Sequence, residues 1–136
     1  MHTTNYYDTF IRVADDCPVT VAEVPPVKGD NKSIANIQFD MMAHHPYEFT
    51  SDDVIFEAYA LKNNISGTEK AAGRKQYFSK GQACLRSSTL AKRYGWGIHS
   101  NADGKVAIFG LGSDEYEQLS QNKQLKQVKA MRSKRA

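Results

Sequence analysis

Three groups of side chains in the second half of this sequence have types and spacing that could do chemistry. Cys84 is a potential nucleophile and His99 a potential base. Such a pair works only if the fold brings thiol and imidazole together, and Arg86 and Lys92 are cations near in sequence that would favour the thiolate. Against this, free cysteine is among the most buried residue types, so an inert core thiol is the favoured expectation for Cys84. The second group interleaves basic and aromatic residues. Arg86, Arg93, Tyr94, Gly97 and His99 have the composition of a ligand-binding surface, with cations for phosphate and a flat ring for stacking. The third group is the basic end. Residues 123 to 136 carry six Lys or Arg and no acid, so Lys126, Lys129, Arg132, Lys134 and Arg135 are expected to contact nucleic acid or another anion.

Other chemistries are poorly supported. The run after Cys84 is not a phosphate-gripping cysteine loop, because Leu90 stands where its arginine would be needed. There is no G-x-x-x-x-G-K-S/T loop and no dinucleotide fingerprint, and Gly110-Leu111-Gly112 reads as a plain strand-to-helix turn. No C-x-x-C occurs, and His44 and His45, adjacent at a helix end, point in different directions rather than at one ion. Neither metal nor cofactor is therefore expected.

The net charge of +3 conceals an asymmetry. Residues 1 to 69 carry eleven acids against four Lys or Arg. From Lys70 to Arg93 the only charged side chains are basic: Lys70, Arg74, Lys75, Lys80, Arg86, Lys92 and Arg93. Two readings follow: the halves attract one another across the fold, or the basic part forms an anion-binding face. No apolar run approaches the ~20 residues that cross a bilayer. MHTTNYYDTF lacks a basic stretch followed by an apolar one, and with only Cys17 and Cys84 the expected location is the cytoplasm.

The elements that must position these groups follow from periodicity and caps. Asn5–Ala14, with Tyr7, Thr9, Ile11 and Val13 at period two, reads as a strand. Val19–Val24 reads as a shorter extended piece stopped by Pro25-Pro26. Ser33 is placed to cap a helix to about Ala43, with Ile34, Ile37 and Met41 on one face. Thr50 and Asp53 have capping-box spacing for a helix to about Lys62, and Ser66 and Glu69 for another closed by Gly81. Ser88–Arg93 reads as one helical turn. Trp96–Ser100 and Lys105–Leu111 read as a hairpin around Asn101–Gly104, and Ser113 as the cap of a short helix. Leu125, Val128 and Met131 suggest a last helical segment with a thin apolar edge. In the hairpin Trp96 and Ile98 are expected on the core face. Gly97 and His99 are expected on an open opposite face, with His99 near Arg86 or Arg93.

Helices between an early strand and a late hairpin give the α+β class. The expectation is a small antiparallel sheet covered by three to four helices, a domain over residues 1–122 and a basic, partly helical tail over 123–136. NYYDTFI, CPVT, PYEFTSDDVIF, the SKGQACLRSS and LAKRYGWGIHS block and the LKQVKAMRSKRA end together resemble DUF6157, a bacterial family of unknown function. That resemblance implies a small single-domain bacterial protein and no activity. The functional expectation is a non-catalytic binder of an anionic partner, nucleic acid or a phosphate-bearing ligand. An enzyme using Cys84 and His99 and a protein–protein adaptor are the alternatives.

Overall fold

Phe10 and Ile11 are neighbours in one strand and both are sealed from solvent. Because successive strand residues point to opposite sides, the sheet that holds them must be covered on both faces. The computed structural model, which describes residues 2–133, builds this sheet from β1 (Thr9–Arg12), β2 (Trp96–Ser100), β3 (Val106–Gly110) and β4 (Lys126–Lys129), in the order β3-β2-β1-β4. β2 runs antiparallel to both β1 and β3, with Phe10 opposite His99 and Ile98 opposite Ile108. β4 lies parallel to β1, with Val128 beside Ile11.

The molecule is thus α+β as expected, but its sheet is mixed rather than antiparallel, and the segment around Val128 is a strand rather than a helix. The Leu125, Val128, Met131 spacing imitates a helix edge. The outcome is decided by long-range pairing: Lys126 N–H donates to Asp8 O and Ala130 N–H to Arg12 O, extending the β1 ladder at both ends. Strand preference is largely a matter of such context.

The described residues include five α-helices: α1 (Ile34–His44), α2 (Ser51–Lys62), α3 (Lys70–Tyr77), α4 (Thr89–Lys92) and α5 (Asp114–Gln121). Ser33 and Thr50 cap α1 and α2 as expected. Each side chain accepts from the backbone N–H three residues on, and Asn36 or Asp53 returns a bond to the cap. Ser113 caps α5 by accepting from Tyr116 N–H. α3 departs from expectation. Ser66 Oγ donates to the Glu69 carboxylate in the turn before it, no side chain caps it, and it stops at Phe78 rather than Gly81. Val19–Val24 is not a strand, although Ala22 and Glu23 bond Leu111 and Tyr94 across the end of the hairpin.

The main core joins one sheet face, Ile11, Ile98, Val106 and Ile108, to Met42 of α1, Val54 of α2, Leu90 of α4 and Leu85 from a 3-10 turn at Leu85–Ser87. On the other face Tyr116 of α5 stands edge-on to Phe10, ring centroids 5.2 Å apart.

Candidate functional site

The hairpin register is as expected on its core side. Ile98 is buried, and half-buried Trp96 packs edge-on to Phe39 of α1 at 5.3 Å while its Nε1–H donates to Glu23 O. The opposite face is not open. A Cβ added at Gly97 would stand 2.5 Å from Phe10 Cζ and 2.7 Å from Tyr116 Cε2. Gly97 therefore admits two core rings, not a ligand.

His99 shares that face with Phe10 and is held by Tyr47, whose hydroxyl lies 2.8 Å from Nδ1. Burial lowers its pKa below the ordinary histidine value, with the Asp8 carboxylate opposing. The Tyr47 hydroxyl and the His99 ring share one hydrogen bond whose direction follows the ring's tautomer.

Cys84 belongs to the other side of the sheet. Leu85 beside it enters the core under α1 and α2, and the Cys84 thiol lies 3.4 Å from the Tyr6 hydroxyl. Burial raises the Tyr6 pKa, the thiol adds to the rise, and nearby Arg86 opposes it. Cys84 and His99 therefore face different partners with the sheet between them. The nucleophile–base arrangement expected as one alternative is absent from the described residues, because no loop carries the thiol across the sheet.

Arg86 is not near His99 either. Its Nε–H donates to Lys129 O at 2.7 Å, and its backbone carbonyl receives Met131 N–H. Arg93 lies over the Tyr94 ring, 5.8 Å from the centroid, and Tyr94 packs on the main core. The five residues expected to line one ligand site are therefore distributed. Arg86 joins the chain's basic end, Arg93 and Tyr94 pair with each other, and Gly97 and His99 share the α5 face.

The basic end is the place where separate parts of the chain converge. β4 forms a sheet edge, and Arg86 from the 3-10 turn is bound to its last residue. The Lys126 and Arg132 side chains are exposed and, among the described residues, make no hydrogen bond or ion pair, while Lys129 pairs with Asp15 at 3.0 Å. Asp16 accepts from Ser133 N–H at 2.9 Å and fixes the segment that follows β4. Lys134 and Arg135 lie outside the described residues.

Several concavities lie on the helical side, and two of them border residues singled out above. The larger, about 550 Å³, lies over α1 and α2 and is lined by Asp40, Met41, Phe49, Asp53, Glu57 and Arg74 among others. Its carboxylates are already paired: Asp40 with Lys32, Asp53 with Arg74 and Glu57 with Lys70, each at 2.6–2.7 Å. Burial pushes Asp53 up, but the Thr50 backbone N–H and the Arg74 guanidinium outweigh it and hold the carboxyl below its ordinary value. The smaller cleft, about 260 Å³, lies between α1, α2 and the residues from Ala83 to Thr89, with Gln38 in its wall. Sequence reasoning passed over Gln38. The signal was available, since Gln38 stands four residues after Ile34 and three before Met41, inside the apolar stripe of α1.

Among the described residues no three His, Cys, Asp or Glu side chains gather as metal ligands, and no helix is long and apolar enough to cross a membrane. A family model described as a family of unknown function, DUF6157, matches residues 1–136. The chain belongs to this family. Within DUF6157 the match supplies no activity, substrate or site residue to carry over. No curated protein and no solved structure matches the chain.

Proposed function

We propose that this DUF6157 protein is a non-catalytic binder whose anionic partner, a phosphate-bearing polymer, lies along the β4 edge. The observation that supports the reading is the meeting of two basic stretches distant in sequence, Arg86 of the middle and Lys126, Lys129 and Arg132 of the end. Among the described residues, the acidic side chains that bond to this segment are those of Asp15 and Asp16. Arg86, Lys126 and Lys129 sit on a 3-10 turn and a strand, and Arg132 follows the strand. β4 is hydrogen-bonded into the sheet, so its backbone needs little ordering on binding. Lysines on an edge strand also discourage strand-to-strand aggregation, and that role is compatible with partner binding. Lys134 and Arg135 are assigned to the same contact from their charge alone.

Removing residues 123–136 would take away a strand together with the charge, so the test uses substitutions. A dye-labelled single-stranded oligonucleotide is titrated with the protein at several salt concentrations, and the logarithm of the binding constant is plotted against that of salt. Lys126→Ala, Lys129→Ala and Arg132→Ala combined should flatten the slope by about 2, at roughly 0.7 per contacted phosphate. No binding at ~50 mM salt, where this electrostatic attraction is strong, would end the proposal. An unchanged slope in the triple variant would end it equally.

A further inference from the structure

We infer that the cleft between α1, α2 and residues 83–89 is a binding site for a neutral, fragment-sized apolar molecule that carries a hydrogen-bond acceptor. The inference begins with Gln38, which is only 6% exposed. Ser88 Oγ caps α4 by accepting from Leu90 N–H, so its own proton is available to donate to Gln38 Oε1, 2.7 Å away. This arrangement fixes the amide: the carbonyl faces Ser88 and the NH₂ faces the other way. Among the described residues that NH₂ group makes no hydrogen bond, and it is not sealed in the core. Gln38 lines the cleft, and the proposed site takes this NH₂ group as its donor. The NH₂ group is open to water, so a ligand acceptor would exchange one hydrogen bond for another and gain the modest net stabilisation of a placed bond.

The walls define the rest of the ligand. Ile34, Ile55, Tyr59 and Tyr77 supply apolar surface, the two tyrosine rings lying 4.4 Å apart, and among the described residues no Asp, Glu, Lys or Arg lines the cleft. An ionised ligand would lose hydration there without gaining a counter-charge. The volume of about 260 Å³ lies just below the ~300–1,000 Å³ of drug-sized sites, which sets the scale at one ring and a short substituent. A mainly apolar lining with a few polar groups, here the Gln38 amide and the hydroxyls of Ser87, Ser88 and Thr89, is the usual composition of a small-molecule site. This inference is independent of the β4 proposal, which concerns a different surface and a charged partner.

Acetophenone is a probe with the required shape and acceptor, and ethylbenzene resembles it without the carbonyl. Each is titrated into nitrogen-15-labelled protein while the Gln38 side-chain amide resonance is followed. Acetophenone should shift that resonance saturably and bind about tenfold more tightly than ethylbenzene, the difference expected of one added hydrogen bond. Gln38→Met should remove that preference. Ala83→Trp, which fills the cleft from an exposed position on its rim, should abolish binding of both and keeps the test open should Gln38→Met not fold. Absence of a saturable shift with acetophenone overturns the inference, as does equal affinity for ethylbenzene or binding that survives Ala83→Trp.

Discussion

His99 shows how far a single residue's role depends on what reaches it through space. Its type suggested a base, but its burial, its Tyr47 partner and its depressed pKa describe a neutral structural ring. The sign of the resulting pH effect follows. In the unfolded chain His99 takes up a proton near pH ~6.5, whereas in the fold it does so only at lower pH. As pH falls below that value the unfolded state binds more protons, so the native state loses stability, down through the folded pKa. His99→Gln can keep a bond to Tyr47 while removing the titration. Denaturant melts from pH ~7 down to ~5, the region where a histidine titrates, should show a shallower loss of stability for the variant than for the parent. Parallel curves would show that His99 has no such role. Neither the Tyr47 contact nor the position of Cys84 across the sheet was legible in the sequence, because each depends on pairings between residues tens of positions apart.

Helix caps were the most legible elements. Ser33, Thr50 and Ser113 act through residues within three positions, and local chemistry suffices to place them. The hairpin was legible for the same reason: Gly104 adopts φ 79° at the end of the Asn101–Gly104 loop, a conformation that favours glycine. β4 was illegible because its four residues hold one β-branched side chain, and the ladder to β1 supplies what local preference lacks. Gly97 combines both lessons, since its place on the β2 face was read correctly and its neighbours were not. Its backbone is ordinary, so its constraint is space alone. Gly97→Ala should therefore destabilise by about 1–3 kcal/mol through overpacking against Phe10 and Tyr116. Gly67→Ala, where nothing lies within 4 Å of the added carbon, should be close to neutral. Urea unfolding midpoints of the two variants decide the matter, and equal midpoints would remove the steric account of Gly97.

At the scale of the whole molecule, the charge asymmetry resolves into two parts. The acidic front and basic middle pair across the helical layer, Lys70 with Glu57 and Arg74 with Asp53, so mutual attraction accounts for those cations. Such partly exposed pairs contribute little individually. Across the sheet, Lys129 meets Asp15, but Lys126 and Arg132 are not neutralised by any described partner, and Arg86 is fixed beside them. The sequence displayed the excess of positive charge. It did not show which cations folding would neutralise, since that depends on the parallel placement of β4.

The claim that the remaining charge on the β4 edge holds the anionic partner is tested most directly by mapping the contact. Nitrogen-15-labelled protein is titrated with a single-stranded oligonucleotide at low salt, and backbone amide shifts are followed residue by residue. The account predicts saturable shifts concentrated at Arg86 and residues 126–132, and none around the paired Arg74 and Asp53. Shifts centred on the α2–α3 ion pairs, or no saturable shift anywhere, would contradict it.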